Sequence, residues 1–339
     1  MTQSKKVLVT GGAGYIGSHM VLKLLEAGHQ PVVVDDLSSG LKTRLPSDVP
    51  LHVFNFADSE KLSALLTKEK VDVVMHFAAF VEVGESVEKP DMYYHNNFVN
   101  TLALLNTMRK NNIKKIILSS TAATFGEPDY IPADEKHPQK PLNPYGMSKL
   151  MCEHTLKDFD IAYGMKSVCL RYFNAAGADP SLRTGFRKND PSHLIPIVLK
   201  VATGENPAIK INGTDYDTKD GTCVRDYIHV MDLCDAHLLA MNYLLNGGDT
   251  RSYNLGNGLG YSVREVIQAV EKVTGKKLTI VDSARRAGDS AALVADSKCI
   301  REELGWKPQY PELETIVQHA WNWERAHQHR RFANSDNEV

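Results

Sequence analysis

The chain has 339 residues, 42% apolar and 24% charged, with a formal net charge of −2. That length supports two lobes, or one large domain with an extension, and the near-neutral balance gives no footing for nucleic acid or a membrane as the main partner. No apolar run approaches a membrane span, the five cysteines form no C-x-x-C pair and suit reduced thiols in a cytoplasm, and the scattered histidines predict no metal site.

Val7-Leu8-Val9 is a short apolar run that ends at Thr10 and turns into glycines 11, 12, 14 and 17. Tyr15, Ile16, Met20, Val21, Leu24 and Leu25 then follow helical spacing. A strand, a tight turn and a bare helix start leave backbone N–H groups facing outward, where the helix dipole favours an anion. The natural guest is a dinucleotide pyrophosphate, although a glycine turn alone can equally pack a helix close to a strand. The charged Lys5-Lys6 start and the loop just behind it speak against a discarded signal. Pro31–Val34 is a predicted second strand ending at Asp35-Asp36. An acidic residue about 20 positions past the loop accepts ribose hydroxyls and repels a 2′-phosphate, which favours NAD over NADP.

Leu51–Phe54 is a weak third strand, followed by a helix over Ser59–Lys68, and Val71–Ala79 reads as a buried strand opening into small residues. Met92–Asn111 is expected as one long helix with apolar positions 94, 98, 102, 105 and 108, and Ile116–Thr121 as a strand ending in three hydroxyls. A proline break at Pro141–Pro144 precedes a helix from Tyr145 to about Tyr163, and Ser167–Arg171 is the next strand. This alternation predicts a doubly wound, mostly parallel α/β sheet of the Rossmann type, with Gly11, Asp35, Ala78 and Thr121 at the carboxyl ends of strands, where ligands sit. From about residue 178 the texture turns polar and rich in turns. We therefore expect an NAD-binding domain over 1–177 and a smaller mixed α/β substrate-binding lobe over 178–339, with some elements interleaved. Strands near Tyr253–Leu255 and Leu278–Val281, helices near Val263–Val273 and Leu313–Arg325, and a loose polar tail from about 326 belong to it.

Tyr145 and Lys149, four apart, share a helix face. A free tyrosine, with a pKa near ~10, is a poor base at neutral pH, and lowering it by about three units takes roughly 4 kcal/mol. A lysine ammonium at about 4 Å supplies that much at an effective dielectric near ~20. The charge of an oxidised nicotinamide adds to it. Tyr145 can then take a proton from a substrate hydroxyl as hydride leaves the same carbon, with Thr121 bridging substrate and phenolate.

These motifs carry a resemblance. TGGAGYIGSH at 10–19, HFAAFVEVGESVEKP at 76–90, NPYGMSKLMCE at 143–153, LRYFNAAGADP at 170–180, DGTCVRDYIHVMDL at 220–233 and RRAGDSAALVAD at 285–296 closely resemble the UDP-glucose (UDP-galactose) 4-epimerases of the extended short-chain dehydrogenase/reductase family. The resemblance covers residues 5 to about 325. It implies Tyr145 as catalytic base, Lys149 on the nicotinamide ribose and Thr121 as proton relay. It further implies NAD contacts at Gly11, Gly14, Tyr15, Ile16, Gly17, Asp35, Asp36, Leu37, Ser38, Ser39, Gly40, Ala57, Phe77, Ala78, Ala79, Phe80, Val81, Asn96 and Phe173. The UDP-sugar would be held by Asn174, His193, Leu194, Lys210, Ile211, Asn212, Arg225, Arg286, Asp289 and Leu293, besides Thr121 and Tyr145. The implied reaction is reversible inversion at C4 of a UDP-hexose through a transient 4-keto sugar.

Some positions depart from the family pattern. Phe56 stands where many members have an Asp near the adenine, Val81 replaces a Lys, and Ala123 a Thr near the sugar. Leu293 occupies the place of a Tyr that limits room at C2, which opens N-acetylhexosamines, and UDP-pentoses stay open as well. Related 4,6-dehydratases have an Asp-Glu pair after the strand-end Thr; Ala122-Ala123 here argues against dehydration. A net UDP-sugar dehydrogenase and a non-catalytic NAD sensor are the remaining alternatives. The helices near 92–111 and 145–163 have more apolar surface than one core face needs, which implies, as in relatives, a homodimer paired through them.

Overall fold

The computed structural model describes residues 3–188, 191–286 and 289–334. Its first half alternates strand and helix: β1 (Lys6–Thr10), α1 (Tyr15–Glu26), β2 (Gln30–Asp35), β3 (Leu51–Val53), α2 (Ser59–Glu69) and β4 (Val73–His76). Next come α3 (Val83–Glu88), α4 (Pro90–Tyr93), a π-helical turn at Tyr94–Val99, α5 (Asn100–Lys110), β5 (Lys115–Thr121), α6 (Pro144–Tyr163), β6 (Lys166–Tyr172) and β7 (Asn174–Ala176). Most strands are short apolar runs, and two of the helices open on a side-chain cap. Asp58 caps α2 by accepting the Lys61 N–H, and Asn143 caps α6 by accepting the Gly146 N–H with Pro144 at the first helical position.

Among the described residues the large sheet is parallel and seven-stranded, in the order β10-β6-β5-β4-β1-β2-β3, with β10 at Arg251–Leu255. The chain passes from β1 outward to β2 and later returns to β1's other side at β4, so the order reverses there. A crevice at the carboxyl ends of β1 and β4 is the place such a sheet offers a ligand. One face of the sheet is covered by α1 together with α8 (Val230–Leu245), and the other by α2, α5 and α6.

The second half adds α7 (Leu194–Thr203), β8 (Ile209–Asn212), β9 (Val224–His229), β11 (Gly260–Ser262), α9 (Val263–Thr274), β12 (Ile280–Ser283), β13 (Ala292–Leu293), α10 (Lys298–Leu304) and α11 (Leu313–Asn334). β9 pairs antiparallel with β11 and parallel with β7 and β13, and β8 pairs with β12. A separate apolar core lies among α7, α9 and α11. Two elements of this half, α8 and β10, return to the large sheet. Among the described residues no helix is long and apolar enough to cross a membrane.

Three expectations are corrected. The helix over Met92–Asn111 is interrupted, because the π-helical turn at Tyr94–Val99 adds a residue and rotates the buried face. Thr101, Leu104, Leu105 and Met108 are buried, whereas Tyr94, Phe98 and Leu102 are only half-buried. The strand over Val71–Ala79 ends at His76, since the N–H groups of Phe77 and Ala78 both turn to the Thr10 carbonyl. The tail from 326 is helical as far as Asn334, as a continuation of α11; residues 335–339 lie outside the described residues.

Candidate functional site

Close backbone packing builds the glycine loop. Gly11 has φ +71°, and a Cβ there would stand 2.5 Å from the Ala78 nitrogen; a Cβ at Gly17 would stand 2.2 Å from the Gly11 carbonyl oxygen. A side chain at Gly11 would push the loop from the β4 end, and one at Gly17 would push α1 from the loop. Gly14 begins α1 with no side-chain cap, so the N–H groups of Tyr15, Ile16 and Gly17 lack partners within the helix. That bare, positively polarised start fits a diphosphate.

Asp35 ends β2 beside this loop. Its carboxylate accepts the N–H groups of Ala13 and Leu37, each at 2.9 Å, and Gly40 packs so close that a Cβ would meet Asp35 Oδ1 at 2.6 Å. Burial pushes the Asp35 carboxyl above its usual range, and the two backbone N–H groups oppose that. Leu37 sits at φ +59°, a left-handed conformation costly for a leucine, and Asp36 holds the same turn through Ser38 and Asn55. Ser39 is exposed at its tip. An anionic acceptor with spare lone pairs beside a diphosphate bed matches the ribose of a dinucleotide. Ala57 follows Phe56, whose ring is buried edge-on against His76, with centroids 4.9 Å apart. Phe56 is therefore a core residue beneath this bed rather than a polar partner.

The loop after β4 is held from α5's side. Asn97, buried in the π-helical turn, accepts the Phe80 N–H at 2.8 Å and donates to the Phe80 carbonyl at 3.0 Å and to Ser148 on α6. This fixes the loop after Ala78 and Ala79 at Phe80, while Val81 is exposed and Asn96 hydrogen-bonds to Asn97. Phe77 turns into the core, 4.8 Å from the His237 ring. Behind the loop, Thr101 donates to the Asn97 carbonyl, so it accepts from His76 Nε2, and His76 Nδ1 accepts from Thr10. Burial holds His76 down to about 3, so the imidazole is neutral and pins β1 to β4.

Thr121, Tyr145 and Lys149 come together where α6 starts over the end of β5. Gly146 makes this possible, because a Cβ there would lie 2.4 Å from the Ala123 carbonyl oxygen. Tyr145 is half-buried, with the Thr121 hydroxyl close enough to act on its phenol; Thr121 accepts the Ala123 N–H at 3.1 Å. Burial pushes the Tyr145 phenol up, the Thr121 hydroxyl pulls it down, and the Glu82 carboxylate pushes it up again. Lys149 is buried and donates to the Ser119 carbonyl at 2.9 Å, and burial holds its ammonium below the usual lysine range. No direct Tyr145–Lys149 hydrogen bond occurs, so in the protein alone burial outweighs the stabilisation expected from the lysine.

Behind this trio lies a group the sequence did not disclose. Ser120 donates to Glu153 Oε1 at 2.5 Å, and Arg171 forks onto the same carboxylate with Nη2–Oε2 at 2.6 Å. Arg171 and Glu153 are both buried, and their charges tie α6 to β5 and β6. Helical spacing from Lys149 to Glu153 was the available signal; the arginine partner is 18 residues further on.

The second lobe brings Arg225, Arg286, Asp289 and Leu293 together. Asp289 lies 2.8 Å from Arg286 and 3.8 Å from Arg225, a single carboxylate between two guanidinium groups. The Asp289 bond holds Arg286 above its usual range. β13 lies beside β9 in register Leu293↔Arg225, and Leu293 packs with Phe125, Ala133 and Phe173. Asn174 donates to the Asp226 carbonyl at 2.9 Å, joining β7 to β9. His193 and Leu194 form the start of α7, a helix without a side-chain cap. On β8 the alternation is plain: Lys210 and Asn212 are exposed, whereas the Ile211 side chain is in the lobe's core, leaving only its backbone for a ligand. Two guanidinium groups aligned on one carboxylate suit a second diphosphate.

Residues 8–319 match the family described as GDP-mannose 4,6 dehydratase. The UDP-glucose 4-epimerase of Halalkalibacterium halodurans is 51% identical over 323 residues, covering 95% of this chain and 96% of that protein. The chain belongs to that family and, within it, to the UDP-glucose 4-epimerases. Among solved members, the epimerase from Brucella ovis in complex with NAD superposes with a TM-score of 0.91 at 42% identity, covering 94% of this chain and 98% of that one. The Bifidobacterium longum epimerase, in complex with NAD+ and UDP, gives 0.91 at 39% identity over 95% and 99%. Within the epimerase family, Ala122-Ala123 after Thr121 sets this chain apart from the acidic pair expected of a dehydratase.

Proposed function

We propose that the chain is an NAD-dependent UDP-glucose 4-epimerase that interconverts UDP-galactose and UDP-glucose. The observation that carries this reading is the Thr121–Tyr145–Lys149 trio at the carboxyl end of β5, beside a bare helix start and Asp35, in a chain 51% identical to a UDP-glucose 4-epimerase. The residues present fit NAD, which when bound accepts hydride from C4 of the sugar and later returns it.

Tyr145 takes the O4 proton through, or beside, the Thr121 hydroxyl and gives it back when C4 is reduced from the other face. Burial disfavours a bare phenolate, so the base is formed only when positive charge is close. A full charge at about 4 Å is worth about 4 kcal/mol at an effective dielectric of ~20, about three pK units. Lys149, with Nζ fixed by Ser119, is placed to orient the nicotinamide ribose as well as to supply part of that charge. Arg225 and Arg286, aligned by Asp289, grip the diphosphate. The 4-keto sugar swings about that fixed point, which requires that the hexose be held less tightly than the UDP.

The same reading includes a part in galactose metabolism and cytoplasmic residence, the latter supported by five free cysteines, four of them buried. It also includes a homodimer through α5 and α6. The test is to incubate the purified protein, with no NAD added, with UDP-galactose and resolve the products. UDP-glucose should form without accumulating NADH. Tyr145→Phe should fold and bind UDP-sugar yet lose about 10²–10⁴-fold in kcat. Turnover like the wild type in that variant sinks the assignment.

A further inference from the structure

Behind the glycine loop, and apart from the lobe's diphosphate grip, a second basic concavity opens where the loop after β2, the loop after β7 and the end of α11 meet. It has a volume of about 330 Å³, and its wall includes Thr43, Arg44, Arg183, Arg187, Trp323 and His327, with no carboxylate among its lining residues. That size lies at the lower end of small-molecule sites, about 300–1,000 Å³.

The three arginines are not equivalent. Arg183 is already neutralised, with Nη1 2.7 Å from Glu26 and Nη2 2.6 Å from Asp179. Arg44 is only 7% exposed and donates to two carbonyls, Ala13 at 3.2 Å and Arg187 at 2.6 Å, while its Nε has no partner. Arg187 is half-buried, and neither it nor Arg44 has a carboxylate within ion-pair distance among the described residues. Carbonyl oxygens satisfy N–H groups without pairing the charge, and the Asp35 carboxylate offsets only part of it from beyond ion-pair distance. Burial, and then the neighbouring Arg187 charge, bring Arg44 down to about 10. Two guanidinium groups without an ion pair among the described residues thus share one wall, the Arg44 charge being offset only from a distance by Asp35. Trp323, stacked on His327 with centroids 3.7 Å apart, forms a flat side to the same cavity.

We propose that this cavity is a binding site for a phosphate-bearing small molecule, held between Arg44 and Arg187 and separate from the NAD and UDP beds. Guanidinium forks match phosphate oxygens bidentately, and the exposed Thr43 stands at the rim. Arg44 also grips the Ala13 carbonyl in the glycine loop, and the Ala13 N–H is bonded to Asp35. An anion drawn onto Arg44 therefore pulls on the loop that cradles the cofactor, which makes the site a means of tuning cofactor retention. The role in cofactor retention rests on the proposed NAD bed, whereas the anion site itself is tested by binding rather than turnover, so that its failure is distinct from failure of the epimerase reading.

The test is calorimetric titration of the protein with inorganic pyrophosphate, at fixed ionic strength and with NAD and UDP both saturating so that the other two phosphate beds are filled. Saturable binding at one site is expected, weakened at least about tenfold in Arg187→Gln, as the loss of a charged hydrogen bond predicts. Lys68→Gln, on the remote helix α2, removes one surface charge and should leave the affinity within about twofold; thermal unfolding confirms that both variants are folded. Three results overturn the proposal. They are no saturable binding to the wild type, binding undiminished in Arg187→Gln, and binding seen only when NAD is left out, which would give the arginines to the dinucleotide bed.

Discussion

Thr121 performs two tasks with one hydroxyl: it accepts the Ala123 N–H and polarises the neighbouring Tyr145 phenol. The second favours the phenolate and so lowers the pKa of Tyr145, against burial and Glu82, which raise it. If the phenolate is the working base, kcat falls as pH falls through that pKa. Thr121→Ala removes the lowering contribution, so the acidic limb of the pH–kcat profile should move to higher pH, by about one unit for a bond of about 1–1.5 kcal/mol. Thr121→Ser should leave the limb in place. A limb unmoved in the alanine variant would take Thr121 out of the proton path. Thr121, Tyr145 and Lys149 were legible in sequence because a Tyr and a Lys four apart on a helix need only local geometry, and a strand-end hydroxyl only the strand's limit. Asn97 was not, since the π-helical turn that aims it at the Phe80 backbone leaves no periodic trace.

At the scale of elements, the hinge of the site is the seam between α6, β5 and β6. Gly146 lets α6 approach the Ala123 backbone, and the Glu153–Arg171 pair with Ser120 closes the far side. Removing one partner of a buried ion pair leaves a charge without compensation and costs about 3–5 kcal/mol. Urea unfolding of Glu153→Ala should show a loss of that size, and a loss under about 1 kcal/mol would mean that Arg171 finds another partner. The sign with pH follows. Burial works against the Glu153 anion, but the Arg171 bond wins and holds its carboxyl below the usual range. The pair therefore contributes stability above the unfolded glutamate pKa near ~4.3, which is lost as pH falls through the lower folded value. The strands and helices of the first half were readable because most are short apolar runs or 3.6-period stripes. The helix over 92–111 was read too simply, because periodicity cannot register one extra residue in a turn.

At the scale of the whole molecule, apolar side chains remain on α6 and beside α5. Ile161 is 87% exposed, with Tyr163 at 44% and Val99 at 47%, and Arg109 of α5 lies over the Tyr163 ring, so the two helices form one surface. A second copy of the chain is the proposed cover for it. Sedimentation at micromolar concentration should report a dimer, and Ile161→Glu should shift the protein toward the monomer. A wild-type monomer under those conditions would refute the pairing.

The sequence by itself determined the sheet type, the glycine loop, the acidic end of β2 and the Tyr-x-x-x-Lys pair, since each is set by contacts between residues near one another in the chain. Tertiary structure alone decided the rest. It brought α8 and β10 back to the large sheet, joined Arg225 to Arg286 through Asp289, and met Glu153 with Arg171. It also left Arg44 and Arg187 facing one cavity with no ion pair among the described residues. These are long-range pairings of charge and shape, and charge compensation is a property of where side chains meet in space, which spacing along a chain does not encode.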